Sequence, residues 1–319
     1  MKSYIISAVD LLKHLQKASK DIQTAIPNRN FSGLAVIDWE AWRPYWDANW
    51  SSKTIYRKYS VELVRRRYPG LSDKLVSYIA QTAFNKRAKQ FFLLTLRLGR
   101  ELRPQAKWGF YMFPMCTKRG AQCSKPSKRM NNAWRWIFKA SSALYPSIYL
   151  KDKFRKDKMT IQQMGNYVHS VMKETRRVVM ESRQAQPIYA YAKLAYNTYL
   201  EELKFHTKQE LCYTVKQAYD LGASGVVVWS SSKSANNKAK CRAISRYVNE
   251  TFGPYVSTLI GQSLECQKKL CPSDCAGRCV IKDKYAKDAA LCQDDDMFIS
   301  QEFSDHYSCI LPTVSVPYH

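Results

Sequence analysis

The feature that most constrains this chain is a run of four apolar residues, Leu34 to Ile37, closed at once by Asp38-Trp39-Glu40. The run is long enough for a buried strand and too short for a helix. Residues i and i+2 of an extended chain share a face, so Asp38 and Glu40 are expected side by side at the strand's C-terminal end. Pro44 then stops any further ladder. The C-terminal end of a core strand is where barrel enzymes keep their chemistry. Closely paired carboxylates can share one proton and so supply an acid near neutral pH. A lone Asp-x-Glu is more often a pair of solvated acids. Here Trp39, Trp42, Trp46 and Trp50 change that reading, because aromatic faces beside carboxylates suit the flat C–H faces of sugar rings.

The rest of the chain repeats a strand-then-helix rhythm. Apolar spacing predicts helices over Val9–Thr24, Ile55–Tyr68, Leu75–Leu98, Ile161–Arg183 and Lys208–Leu221, the last stopped by Gly222. Strands are predicted at Trp108–Phe113, with Phe110 and Tyr111 on opposite faces, at Leu144–Leu150, at Ile188–Tyr196 and at Gly225–Trp229. Strands separated by helices argue for a parallel sheet or barrel. With the Val36 strand the chain shows five core strands, where a closed barrel takes roughly eight.

Charge narrows the partners. Lys and Arg number 51 against 26 Asp and Glu, a formal net charge of +25. Such a balance attracts polyanions at long range: nucleic acid, anionic membrane or acidic polysaccharide. The basic clusters are scattered and fit no usual nucleic-acid motif. No apolar run of about 18 residues is present, so nothing is expected to span a membrane. Met1 to Val9 is too short for the apolar core of a signal peptide. Six of the ten cysteines lie from Cys266 onward, at Cys266, Cys271, Cys275, Cys279, Cys292 and Cys309. This density reads as a disulfide-stapled module and an oxidising compartment. The competing reading is zinc, and the spacings fit no common zinc pattern. Sequons at Asn30, Asn49 and Asn249 agree with secretion. Cys212 reads as a buried core thiol, and His169 and His206 show no partner pattern for metal binding or catalysis.

The segment Gly33-Leu-Ala-Val-Ile-Asp-Trp-Glu-Ala-Trp-Arg-Pro44 resembles the active-site segment of animal hyaluronidases, glycoside hydrolase family 56, especially the vertebrate sperm-surface and lysosomal types. The resemblance continues through Trp108-Gly-Phe-Tyr-Met-Phe-Pro-Met-Cys116, Ala143-Leu-Tyr-Pro-Ser-Ile-Tyr149 and Gly222-Ala-Ser-Gly-Val-Val-Val-Trp229, and runs from about Ala8 to about Cys279. It implies an α/β fold: a distorted (β/α) TIM-like barrel over residues 1–258, with a Cys-rich, EGF-like module over 259–319. Members of the family carry a further N-terminal segment, with the first barrel strand, ahead of the helix that begins here. The expectation is therefore a barrel lacking that strand.

The resemblance also implies hydrolysis of β-1,4 linkages next to an N-acetylated sugar in hyaluronan, and in chondroitin, by a retaining route. The substrate's acetamido oxygen is the nucleophile, an exception to the usual two-carboxylate chemistry. Glu40 matches the acid/base and Asp38 the second carboxylate. Tyr111, Tyr145 and Trp229 match substrate-binding positions. Two positions depart from the pattern. The family's Phe-Pro-Asp-Cys appears here as Phe113-Pro114-Met115-Cys116, and Lys173 stands where a substrate-facing arginine is usual. Lysine cannot form arginine's bidentate carboxylate clamp. These departures and the missing strand define the alternative, a weak or inactive relative that only binds glycosaminoglycan. No metal or cofactor is implied. The implied partner is a glycosaminoglycan rather than nucleic acid, bound by a monomer that is secreted, on the cell surface, or lysosomal or acrosomal. By the same resemblance Cys116 pairs with Cys123, Cys241 is a free thiol, and the tail cysteines are partly mispaired.

Overall fold

Asp10 caps the first helix: its Oδ1 accepts hydrogen bonds from the backbone N–H groups of Leu12 and Lys13, both at 3.1 Å. The computed structural model describes residues 10–116, 122–151, 158–196, 203–270, 278–281, 298–304 and 307–312. The chain divides into two units, Met1–Tyr111 with Lys128–Leu144, and Met112–Ser127 with Tyr145–His319.

In the first unit, α1 (Leu11–Ala25) is followed by β1 (Leu34–Ile37), α2 (Thr54–Arg67), α3 (Asp73–Leu102) and β2 (Lys107–Phe110). The helices fall where apolar spacing puts them, with boundaries shifted by a few residues. Strands β1 and β2 pair in parallel, with Ala35 opposite Trp108 and Ile37 opposite Phe110. The helix α3 is capped by Ser72 and buries Val76, Ala80, Phe84, Ala88, Phe91, Phe92, Leu96 and Gly99. Spacings of three and four put these on one stripe. That stripe covers the Trp108 and Phe110 side of the sheet: the Phe92 and Phe110 rings lie 4.2 Å apart. At Gly99 the helix comes so close that a Cβ would stand 2.8 Å from the Trp108 ring.

The second unit holds a long helix over Ile161–Ser182, opened by a Thr160–Gln163 capping box. Then come β3 (Tyr189–Ala192), a helical run from Lys208 to Asp220 that includes a π-turn, and β4 (Gly225–Val228). The run ends in a Schellman motif: Gly222 has φ +97°, and its N–H and that of Ala223 donate to the carbonyls of Tyr219 and Ala218. Strands β3 and β4 pair in parallel, with Tyr191 opposite Val227. Ala190 and Ala192 bury their side of the sheet with Ile148, Leu150, Val168, Val171, Met172 and Ala218. Tyr189 and Tyr191, by alternation, face the other way.

The predicted Leu144–Leu150 strand is irregular. Pro146 has no N–H to give, so contact with β3 reduces to a parallel bridge between Ser147 and Tyr191. Two bonds flank it, Ile148 N–H to the Tyr191 carbonyl at 3.0 Å and Tyr191 N–H to the Pro146 carbonyl at 2.8 Å.

Among the described residues each parallel sheet has two strands, and no closed ring of strands is present. Leu34, read as part of a buried strand, is 38% exposed, and Val228 on β4 is 42% exposed; among the described residues each sits on a strand with one partner. In the tail, β5 (Arg278–Ile281), β6 (Phe298–Ser304) and β7 (Tyr307–Pro312) form an antiparallel sheet in the order β5–β7–β6. Cys271, Cys275 and Cys292 lie outside the described residues, and with them the expected pairing of the tail. Among the described residues no helix is long and apolar enough to cross a membrane.

Candidate active site

In the first unit the two acids follow directly on β1, and the residue between them decides where they point. The Trp39 ring lies 4.6 Å from that of Phe91 on α3, 5.5 Å from Trp42 and 6.4 Å from His14. The imidazole of His14 is itself fixed: Nε2 is 2.8 Å from the Thr95 hydroxyl, and the ring stacks on Phe91 at 3.9 Å. With Trp39 held toward α3, alternation turns Asp38 and Glu40 to the opposite face, and both are exposed. The β1–β2 ladder continues past Ile37 and Phe110, since the Tyr111 N–H donates to the Ile37 carbonyl at 3.0 Å. One step further the register sets Tyr111 beside Asp38. Tyr111 is half-buried while Phe110 is buried against α3, so the two face opposite sides as expected.

Most of the surrounding tryptophans do a different job from the one expected. Trp42 and Trp46 are 3% and 7% exposed, packed edge-on against Phe84, and Trp42 also touches Phe91 and Phe92. The apolar stripe of α3 claims them, so they offer no face to a sugar. Trp50 alone of the four is open, at 45% exposure, and the Arg43 guanidinium stacks 4.1 Å from its ring centroid.

Asn49, read as a glycosylation acceptor, is completely buried. Its Nδ2 donates to the carbonyls of Arg43 and Tyr45 at 2.9 and 2.8 Å, and its Oδ1 accepts from the Arg43 N–H at 2.9 Å. The side chain is a brace for the loop after Glu40. Arg43 Nη1 adds a bond to the Ala48 carbonyl at 2.8 Å. Lys53 Nζ donates to the backbone carbonyls of Glu40 and Ala41. Burial lowers the pKa of both Arg43 and Lys53, and Glu40's negative charge opposes that in each. Two cations therefore lie within electrostatic reach of the Glu40 carboxylate.

In the second unit the aromatic side of the sheet carries the candidates. Tyr145 has no exposed surface: its ring stacks on Tyr189 at 6.0 Å and meets Tyr191 edge-on at 6.2 Å. It forms the floor of that face and offers nothing for a ligand to touch. The exposed end belongs to Tyr149 and Trp229. Their rings lie 6.3 Å apart and nearly parallel, at 17°, and Trp229 is 44% exposed. Lys193 Nζ lies 4.9 Å from the Tyr149 centroid and 5.5 Å from that of Trp229. Sequence reasoning singled out neither Tyr149 nor Lys193 for the site. The signal was period two: Tyr145-x-Ser147-x-Tyr149 and Tyr189-x-Tyr191-x-Lys193 each share a face, and the C-terminal member reaches the open end.

Met115 is buried at 8% exposure, next to Cys116, which forms a disulfide with Cys123 across a Cα–Cα distance of 5.4 Å. Lys173 is half-buried on the Ile161–Ser182 helix, one residue before Glu174, whose carboxylate is held by Arg177 at 2.7 Å. Cys212, buried, and Cys241, exposed, are not in disulfides. His206 is buried, with neither ring nitrogen hydrogen-bonded. Its own burial lowers its pKa to about 4, against the opposing charge of Glu210.

A family model described as Hyaluronidase, of glycoside hydrolase family 56, matches residues 3–313. Hyaluronidase-1 of Cerastes cerastes is 35% identical over 283 residues, covering 85% of this chain and 61% of that protein. A chondroitin hydrolase of Caenorhabditis elegans is 35% identical over 279 residues, covering 85% of this chain and 59% of that protein. The chain thus spans about three fifths of the length of these relatives. Among solved structures, bee venom hyaluronidase in complex with a hyaluronic acid tetramer matches with a TM-score of 0.73 at 32% identity, over 79% of this chain and 78% of that one.

Proposed function

The chain belongs to the hyaluronidases of glycoside hydrolase family 56, and on that premise we propose that it hydrolyses β-1,4 bonds in hyaluronan, and in chondroitin, by a substrate-assisted retaining mechanism. The observation that carries this reading is the pinning of Trp39 against Phe91 and His14, which turns Asp38 and Glu40 to one open face beside Tyr111. In this mechanism the Glu40 carboxyl gives its proton to the leaving glycosidic oxygen. The acetamido oxygen of the substrate then bonds to the anomeric carbon as the old bond breaks, which makes an oxazolinium ion. Asp38 faces that cation and steadies its N–H. Glu40, now a carboxylate, takes a proton from the water that reopens the ring. The Tyr111 hydroxyl serves to hold the acetamido group.

In the second unit, Trp229 and Tyr149 supply aromatic faces for sugar rings, with Tyr145 as support beneath them. Lys173 and Met115 occupy substrate-binding positions of the family with changed chemistry. A relative acting on chondroitin and another holding a hyaluronic acid tetramer support a glycosaminoglycan substrate, and the net charge of +25 suits a polyanion. The proposal includes a TIM-like barrel for residues 1–258, an EGF-like module for 259–319, and a secreted monomer.

A second reading, a glycosaminoglycan binder that does not cut, draws on Met115 standing in place of a carboxylate and on two parallel sheets that do not close into a ring among the described residues. Incubation with high-molecular-mass hyaluronan, followed by sizing of the polymer, separates the two. Shortened chains are expected. Retarded but full-length polymer would favour the binder.

A further inference from the structure

Three residues of the second unit meet by register. The bridge between Ser147 and Tyr191, continued two residues, sets Tyr149 beside Lys193. The pairing of Ala192 with Val228, continued one residue, sets Lys193 beside Trp229. The Trp229 N–H donates to the Ala192 carbonyl at 3.0 Å, which carries the β3–β4 ladder to that point. Lys193 therefore stands between two aromatic residues at the C-terminal ends of parallel strands. Its Nζ and the two ring centroids form a triangle with sides of 4.9, 5.5 and 6.3 Å.

Building on the function proposed above, we propose that Lys193 is a substrate-binding residue: it holds the anionic group of an acidic sugar whose ring lies against Trp229. The two π-faces keep the ammonium in place through cation–π attraction, so little freedom is lost when an anion arrives. A sugar ring on a half-exposed tryptophan presents its equatorial substituents at the edge, within reach of a neighbouring cation. Ammonium is a compact point charge without the forked geometry of guanidinium. It therefore accepts a carboxylate or a sulfate ester alike, and the site selects for charge rather than for one acid.

The test is equilibrium binding of a hyaluronan hexasaccharide and of a neutral N-acetylglucosamine hexamer to the wild-type chain and to Lys193→Met and Lys193→Arg, across a salt series. Circular dichroism checks the fold of each variant. Lys193→Met is expected to weaken hyaluronan binding about tenfold, the worth of one charge-assisted hydrogen bond. It should also flatten the salt dependence by about one ion and leave the neutral hexamer unchanged. Lys193→Arg should retain most of the affinity. Wild-type binding with an unchanged affinity and salt slope in Lys193→Met would overturn the role of Lys193 alone. Equal weakening toward the neutral hexamer would overturn it too, because the effect would not come from charge. A wild-type chain that does not bind the hyaluronan hexasaccharide would overturn both this inference and the function it rests on.

Discussion

Asn49 shows how one residue's surroundings outweigh its motif. The sequon Asn49-Trp50-Ser51 needs a free side-chain amide, and this amide makes three bonds inside the loop that follows Glu40. The residue is therefore expected to be unglycosylated when the chain is expressed through a secretory pathway, which mass spectrometry of the Asn49 peptide would check. Asn49→Ala strands the N–H and the carbonyl of Arg43, while the Tyr45 carbonyl keeps the Ala48 N–H at 3.1 Å. Each buried group left unpaired costs about 1–3 kcal/mol, so a loss of at least about 2 kcal/mol is expected in urea unfolding. Tryptophans near carboxylates carry the same lesson. Sequence gives their number and spacing, but a sugar face and a core face look alike until the α3 stripe of Phe84, Phe91 and Phe92 is seen to bury Trp42 and Trp46. Tyr145 and Tyr149 share one face by period two, and depth along a strand, which separates them, leaves no mark in the pattern.

At the scale of elements, the contact between α3 and β2 makes a prediction whose sign runs against helix propensity. Gly99→Ala in an isolated helix gains about 1 kcal/mol. Here the new methyl would meet the rigid Trp108 ring at 2.8 Å, and that ring is anchored by Nε1 to the Arg103 carbonyl at 3.0 Å. Overpacking costs typically 1–3 kcal/mol, so a net loss of stability is expected in thermal unfolding. Helices and strands of this kind were legible because amphipathic spacing and short apolar runs are local signals. The Leu144–Leu150 segment keeps the alternation of a strand, but Pro146 removes a ladder donor and the regular pairing with it. Leu34, in the run read as a buried strand, is 38% exposed, since an apolar run does not say how many neighbours its strand will have.

A second element-scale prediction concerns pH. Burial disfavours the protonated form of His206, the charge of Glu210 favours it and that of Lys193 opposes it, with the Tyr196 ring 4.7 Å away. The Tyr247 hydroxyl donates to the His206 carbonyl at 2.6 Å, and burial raises the pKa of that hydroxyl. The folded pKa of His206 is about 4, against an ordinary value of 6.5. Its stabilising contribution is thus complete above pH 6.5 and falls away as pH drops toward 4, because the unfolded chain takes up the proton first. A difference of this size amounts to about 3 kcal/mol. Melting curves at pH 7 and pH 4.5 should show a loss of stability in the wild type that His206→Phe reduces.

At the scale of the whole molecule, the family assignment covers residues 3–313 and the proposed chemistry rests on a single proton donor. In the proposed mechanism the substrate's acetamido group takes the place of a protein nucleophile, and Glu40 is the residue assigned to protonate the leaving oxygen. Charge and fold could stay intact in a protein that merely binds glycosaminoglycan, so binding does not test the claim. The direct measurement is the initial rate of hyaluronan cleavage by the chain and by Glu40→Gln, with hexasaccharide affinity measured on the same samples. General acid catalysis contributes typically 10²–10⁴-fold. The account predicts a rate at least about a hundredfold lower for Glu40→Gln, with affinity unchanged. Cleavage by Glu40→Gln at the wild-type rate, or a wild-type chain that leaves the polymer at full length, would contradict it.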